Sequence, residues 1–454
     1  MRNVLVIVQD FPPYGGGPVI RTHKFVKYLP ENGWRPIVLT LDPRYYLDTG
    51  AGHDLLAELR PEVVIHRTRA LRLSHASRER LKARGAKGTQ LTSSGPRGGV
   101  TGRLVQWKRW LYRTLLTQGD EAYGWLIPAL HGAHHLLYEH PIDLIYTTSP
   151  PHPVHLIGAM LAWQRGLPWV TDFRDGWTSM PFFRAGWVLR RWLDQQLERY
   201  VLSHADRIIV TTSAVGEEFR ALHGTPLDRF QIIPNGFDSA DFSVPAEPAH
   251  HERFRIVYTG VLSWDRTPRY FFEALARWQV EEPGLASCIE VVLAGHLFAE
   301  NQAMIDEMGL NDLVSYRGML PHMEAVHLMR SADLLLLIVI AEDQGTALIP
   351  GKSYEYIASG RPVLAMVSES VVADLIRESC AGFVVDPHDV DAILDHFRRA
   401  YAAWEAGMPW QGAAIESAHR YDRRTLAASL AKLFDAIVAS PNRSTLPSQH
   451  HTKI

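Results

Sequence analysis

A rhythm that runs once and then starts again is what most limits the folds open to this chain. Short aliphatic and β-branched runs alternate with segments of helical spacing, the pattern of parallel strands joined by crossover helices. Val4-Leu-Val-Ile-Val8 opens the series, and Arg21–Leu29 has helical spacing that stops before Gly33. Further strands are expected at Ile37–Leu41, Val63–His66, Leu144–Thr147, Trp169–Thr171 and Ile208–Thr211. The rhythm restarts at Arg255-Ile-Val-Tyr-Thr-Gly260, with strands expected at 289–294, 314–317, 334–339, 362–365 and 382–385. A single core stops growing at roughly 250–300 residues. At 454 residues the chain is therefore read as two α/β domains, residues 1–238 and 253–415. A polar stretch over 239–252 links them, and a helix over 416–438 is expected to cross back to the first.

Composition narrows the class. With 46% apolar and 21% charged residues the chain is globular, and a net charge of −2 gives it no overall reason to seek nucleic acid. Cys288 and Cys380 are the only cysteines; they form no disulfide framework or metal-ligand spacing, which suits a reducing, cytoplasmic setting. The apolar run at the N-terminus is about five residues and that at Leu334–Ala341 is short, so no transmembrane segment is expected. Residues 74–101, rich in Arg, Lys, Gly and Ser, read as a mobile insertion, and the polar tail over 439–454 as disordered. Residues 100–116 combine Trp107, Trp110 and Tyr112 with Arg103, Lys108, Arg109 and Arg113. Such a helix suits an anionic membrane surface on the cytoplasmic face, and equally suits packing on the first domain.

Four stretches carry candidate chemistry. Gly15-Gly-Gly-Pro18 lies between the first strand and its helix, where Gly16 and Gly17 would let backbone amides approach an anion. The same residues also fit a plain tight turn. The second pair of stretches, Thr147-Thr-Ser-Pro-Pro-His-Pro-Val-His155 and Trp169-Val-Thr-Asp-Phe-Arg-Asp-Gly-Trp177, begin at the carboxyl ends of strands, where open α/β sheets bind ligands. Asp172, Arg174 and Asp175 crowd there, either as ligand-facing charges or as an internal Arg–Asp brace; His152 and His155 are each either a ligand contact or a satisfied structural histidine. In Gly260-Val-Leu-Ser-Trp-Asp-Arg-Thr-Pro-Arg269, Arg266 and Arg269 sit at or before a helix start, opposed to its dipole. They are either diphosphate ligands or solvated surface arginines.

The fourth stretch is Pro350-Gly-Lys-Ser-Tyr-Glu-Tyr-Ile-Ala-Ser-Gly-Arg-Pro362. A helix over Lys352–Ala358, capped by Gly360, would carry Lys352 in its first turn, where it can join the N-terminal amides in holding phosphate. Glu355, a turn later, could accept hydrogen bonds from both hydroxyls of a ribose. Taken alone, the same residues are an exposed Lys–Glu pair at a spacing of three. Asp389-Val-Asp391 spells a metal-binding DxD but precedes a helix and reads as a cap, so no metal or other cofactor is expected.

This fourth stretch resembles the donor-binding motif of family-4 retaining glycosyltransferases, in the subgroup with P-x-K-x-x-E-Y before G-x-P-V. Matches follow in order along residues 1–435: F-P-P-Y-G-G-G, S-P-P-H-P-V-H-L, D-F-R-D-G-W, A-D-R-I-I-V-T-T-S, I-I-P-N-G-F-D and Y-T-G-V-L. The resemblance implies two Rossmann-like domains facing a cleft, the GT-B fold. It implies a nucleotide-sugar donor in the second domain, uridine diphosphate sugars being commonest among relatives, and a glycan or lipid-linked acceptor at the first. It assigns Glu355 to the donor ribose, with Tyr354 beside it, Lys352 and Arg266 to the diphosphate, and Gly16-Gly17 to the phosphate or sugar. Asn235-Gly236 would lie near the hinge, and Asp172 or Asp175 would face acceptor or sugar, with His152 and Arg174 nearby.

Two departures matter. A glutamate expected eight positions before Glu355 is Ala347, leaving Glu342 or Asp343 to contact the sugar, and the arginine of a G-R-L motif is Val261, which is why Arg266 is the substitute. The implied chemistry is transfer with retention: Lys352 and Arg266 stabilise charge on the leaving β-phosphate, and Asp172 or Asp175 acts at the reacting sugar. Synthesis of a cell-surface polysaccharide or glycolipid would follow. A sugar-nucleotide epimerase or hydrolase on the same fold, or a silent donor-binding subunit, are the alternatives.

Overall fold

The computed structural model describes residues 1–15, 17–46, 52–71, 121–180, 188–243, 252–262, 267–339 and 347–440. The expected insertion over 74–101, the basic helix over 100–116, the tail beyond 440, Gly16, Arg266, Glu342 and Asp343 lie outside them. The chain forms two compact units. One holds residues 1–173, 187–209 and 427–454, and the other 174–186 and 210–426.

From the N-terminus the elements are β1 (Arg2–Ile7), α1 (Gly17–Tyr28), β2 (Trp34–Leu41), β3 (Val64–Thr68), α2 (Leu126–Glu139), β4 (Leu144–Ser149), α3 (Val154–Arg165), β5 (Trp169–Phe173), α4 (Val188–His204), β6 (Arg207–Val210), α5 (Ser213–His223) and β7 (Phe230–Ile232). Their sheet has the order β3-β2-β1-β4-β5-β6-β7, with β1 parallel to both β2 and β4. Next come β8 (Phe254–Leu262), α6 (Arg269–Glu281), β9 (Ile289–Leu297), α7 (Ala299–Glu307), β10 (Val314–Tyr316), α8 (His322–Arg330), β11 (Leu334–Val339), α9 (Gly351–Ser359), β12 (Val363–Val367), α10 (Val371–Glu378), β13 (Gly382–Val385), α11 (Val390–Glu405) and α12 (Arg423–Ala439). This second sheet runs β10-β9-β8-β11-β12-β13, parallel throughout. Each sheet thus winds out from its first strand in both directions. That puts a topological switch point beside β1 in one and β8 in the other, the place where open α/β sheets receive ligands.

The second sheet is buried on both faces, and alternation along the strands decides which residue serves which. Leu334, Leu336 and Ile338 pack with Ile256, Tyr258, Phe271 and Phe397 on one side; Leu335 and Leu337 pack with Val257, Val326, Tyr356 and Ile376 on the other. A strand covered on both faces has no polar face, so Leu334–Val339 reads as an unbroken apolar run. In the first unit, Val4 to Ile7 are all buried. The end of α12 belongs to this unit: Phe434 packs edge-on against Trp34 and Tyr146, and Asp435 takes a hydrogen bond from the Trp34 indole at 3.1 Å.

The strands expected from sequence all form, most of them one to three residues longer. Only β7 has no counterpart among them, because Gln231 and Ile232 are exposed and the segment has no apolar alternation. Asp389 caps α11 by accepting from the Ala392 amide at 2.9 Å, and Asp391 pairs with Arg277. Among the described residues no helix is long and apolar enough to cross a membrane.

Candidate functional site

The carboxyl end of β8 is built to receive a side chain from α9. Pro350, in an extended conformation, ends the preceding loop, and α9 starts at Gly351 and is closed by Gly360 in the left-handed region (φ 68°), which needs no Cβ. Its buried face, Tyr354, Tyr356 and Ile357, docks on the sheet. Tyr356 fixes the register, since its hydroxyl accepts from the Thr259 amide at 2.9 Å and lies 3.2 Å from the Thr259 hydroxyl. With α9 so held, the Lys352 ammonium sits 3.7 Å from the centroid of the Tyr258 ring and donates to the Thr259 carbonyl at 3.3 Å. The ammonium is thus held over an aromatic face, beside a strand end and at a helix start.

Two glycines keep this strand end bare. Gly260 and Gly295 are paired across β8 and β9 with φ of 128° and 126°, a region essentially restricted to glycine. A Cβ on Gly295 would lie 1.9 Å from the Gly260 carbonyl oxygen. The backbone therefore passes the Lys352 ammonium without side chains intervening from these positions.

Glu355 lies one turn after Lys352 on the same helix face, since residues three apart are neighbours. It is half-buried, and its carboxylate hydrogen-bonds to no described residue. Burial raises its pKa above the usual carboxylate value, opposed by the positive charges of His322, Arg423 and Lys352 and reinforced by Asp241. His322 and Asp241 are themselves paired at 3.0 Å. A partly desolvated carboxylate without donors is costly.

The remaining expected site residues are placed as follows. Tyr354 is buried and its ring meets that of Tyr421 at a tilt, with centroids 5.0 Å apart, so it serves the packing of α9. Asp172 is fully buried and is gripped by Arg21 through two bonds of 3.0 Å, by the Tyr146 hydroxyl at 2.5 Å and by the Thr148 hydroxyl at 3.2 Å. All these partners lie in the first unit, and every bond points inward. Asp172 is thus an internal brace, as one of its two sequence readings allowed, but its partner is Arg21 of α1 and not Arg174.

His152 and His155 are also buried and tied together. The Ser149 hydroxyl lies 3.0 Å from His152 Nδ1 and 2.8 Å from His155 Nε2, and His155 Nδ1 lies 2.8 Å from the Thr147 hydroxyl. Arg174 is buried, its carbonyl accepting from Thr211 at 3.0 Å, and Asp175 is half-buried; both belong to the second unit. Gly17 begins α1 with open space where a Cβ would go. Gly236 packs on the Tyr421 carbonyl so closely that a Cβ would lie 2.0 Å from it. Ala347 is buried and its carbonyl accepts from the Thr212 hydroxyl at 2.6 Å. The structure thus brings Lys352 and Glu355 together.

Sequence reasoning missed Arg21, Tyr258, Thr259, Asp241, His322 and Arg423. Only Arg21 left a local signal, the spacing Arg21, Phe25, Leu29 that puts a guanidinium on an otherwise apolar stripe; it lies 4.8 Å from the Phe25 ring centroid.

Comparison with known proteins agrees with this architecture. Residues 16–236 match a "Glycosyl transferase 4-like domain" and residues 241–415 match "Glycosyl transferases group 1". The chain is 23% identical over 239 residues to the D-inositol 3-phosphate glycosyltransferase of Mycolicibacterium smegmatis, covering 50% of this chain and 53% of that protein. With the enzyme of the same name from Paenarthrobacter aurescens it shares 24% over 202 residues, 42% of this chain and 48% of that protein. The chain therefore spans about half the length of these curated relatives. Among solved structures it is similar to sucrose-phosphate synthase from Thermosynechococcus elongatus, with a TM-score of 0.62 at 16% identity, over 97% of this chain and 100% of that one. It is likewise similar to the α,α-trehalose 6-phosphate synthase of Burkholderia multivorans, with a TM-score of 0.59 at 14% identity, over 96% and 97%. With its two matched domains in this order over most of its length, the chain belongs to the family-4 group of glycosyltransferases and has the GT-B fold.

Proposed function

We propose that this protein transfers a sugar, with retention, from a nucleoside-diphosphate donor to a glycan or lipid-linked acceptor. A uridine diphosphate sugar is the donor class put forward, and a cell-surface polysaccharide or glycolipid the product. The observation that carries the reading is the pair on α9: an ammonium at the carboxyl end of β8 and, one turn away, a half-buried carboxylate with no described hydrogen-bond donor. A diphosphate answers the first and a ribose the second, and the two groups are adjacent in a nucleotide sugar.

In this reading the chain's residues act by charge and position. Lys352, with the α9 amides, holds the β-phosphate and stabilises the negative charge that grows there as the anomeric bond breaks. Glu355 accepts from the two ribose hydroxyls and sets the nucleotide's position along α9. The departing phosphate oxygen, on the face from which the acceptor approaches, takes the acceptor hydroxyl's proton, so no enzymic nucleophile is required and no metal is invoked. Arg266 as a second phosphate ligand, Gly16 and Gly17 at the phosphate or sugar, and Asp175, Arg174, His152 and Glu342 toward sugar or acceptor are the further assignments of this reading. Asp172 is left out, because its carboxylate is spent on Arg21, Tyr146 and Thr148.

Incubation with radiolabelled nucleotide sugars and a membrane lipid extract tests the proposal. Label is expected in lipid or polymer. Altered free sugar or nucleotide sugar would replace transfer by hydrolysis or epimerisation, and binding without turnover would leave a silent donor-binding protein.

A further inference from the structure

The helix α4 exposes what a buried helix hides. Val188 is 87%, Leu189 61% and Trp192 54% accessible, and Leu193 and Tyr200 are also exposed. Single exposed apolar residues need no explanation, but a contiguous run on one helix end does. The charges on the same helix are sorted in the same direction. Its two acids face inward: Asp194 is buried against Arg190 at 2.7 Å and the Tyr123 hydroxyl at 3.3 Å, and Glu198 is fully buried. Arg191 and Arg199 are exposed and bond to no described residue. Every exposed formal charge of α4 is therefore positive.

The neighbouring helix continues the pattern. α3 packs beside α4, contains no acid, and exposes Met160, Trp163 (72%) and Arg165. Exposed tryptophans and leucines interleaved with arginines that pair with no described residue, with the acids withdrawn, are the chemistry of a helix lying in the interface of an anionic bilayer. A protein partner of matching shape would not require every exposed charge to be of one sign.

We infer that the α3–α4 face is a membrane-docking surface that seats the protein on anionic lipid through Leu189, Trp192 and Trp163, with Arg191, Arg199 and Arg165 meeting the headgroups. This deepens the proposed function, since a lipid-linked acceptor lies in such a surface, and it assigns docking to described residues independent of 100–116.

Flotation of the full-length protein tests it, with vesicles of equal parts phosphatidylglycerol and phosphatidylcholine and with pure phosphatidylcholine vesicles, at low and high salt. Binding to the anionic vesicles that weakens with salt is expected. The variant Leu189→Gln/Trp192→Gln should lose at least about 10-fold in vesicle affinity, and Arg191→Glu/Arg199→Glu at least about 20-fold, both with unchanged melting because all four side chains are at the surface. Equal binding of wild type and both variants, or equal binding to the two vesicle types, would overturn the inference. So would a stable dimer in solution that the Leu189/Trp192 variant dissolves, which would make the face a contact between copies. Nucleotide-sugar binding measured on the same variants separates the two proposals. Intact donor binding with no vesicle binding ends this one alone, and vesicle binding without donor binding ends the proposed function alone.

Discussion

Replacing Asp172 by Asn separates a brace from a catalytic group. The carboxylate is fully buried and neutralises a guanidinium that is 1% exposed, through two bonds of 3.0 Å. Breaking a buried pair by removing one charge costs about 3–5 kcal/mol, because the remaining charge is left uncompensated. For a unit of roughly 200 residues each kcal/mol moves the midpoint by about 2–4 °C, so Asp172→Asn should lower the melting of the first unit by roughly 6–20 °C in calorimetry. The Tyr146 phenol, which burial and the adjacent Asp172 push well above its usual value, also loses its charged acceptor. Adding Arg21→Met removes the orphaned cation and should recover at least about 1 kcal/mol. A variant that melts like wild type but has lost transfer would refute the reasoning and return Asp172 to the reacting groups.

Three further outcomes follow from His23, Gly295 and Tyr356. His23 is buried with Nε2 2.7 Å from the Leu55 carbonyl, and burial lowers its value from 6.5 to about 4. Between those values the unfolded chain binds a proton that the native state refuses. Stability should therefore fall as pH drops through that window, by up to roughly 3 kcal/mol, and urea titrations of His23→Asn should show a flatter slope. Gly295→Ala forces a Cβ against the Gly260 carbonyl at a φ of 126° and should destabilise the second unit by at least about 2 kcal/mol in thermal melts. Tyr356→Phe leaves the buried Thr259 amide without its acceptor and should cost about 1–3 kcal/mol by the same measurement. It should also weaken donor affinity in titration calorimetry, because α9 loses its register.

The sheets were legible because both are buried strands of aliphatic runs, and Leu334–Val339 was placed to the residue. The edge strand β7 was not, since a half-exposed strand such as Phe230–Ile232 leaves no apolar pattern. The helix that carries Lys352 and Glu355 was legible from its proline start and glycine stop. What surrounds Lys352 was not, because Thr259 and Tyr258 lie more than ninety residues away in sequence and meet it only through sheet topology. Asp172 shows the opposite limit. The rule that ligands bind at strand ends pointed to it, yet the alternating directions of side chains along β5 turn its carboxylate into the sheet, toward Tyr146 and Thr148 of β4 and Arg21 of α1.

The central claim is that α9 holds the nucleotide sugar, and titration calorimetry of uridine diphosphate sugars with wild type, Lys352→Ala and Glu355→Ala tests it most directly. Each side chain contributes a charge-assisted contact of about 1.5–3 kcal/mol, so each variant should bind the donor roughly 10- to 100-fold more weakly while melting within about 2 °C of wild type. Unchanged donor affinity in both variants would contradict the account.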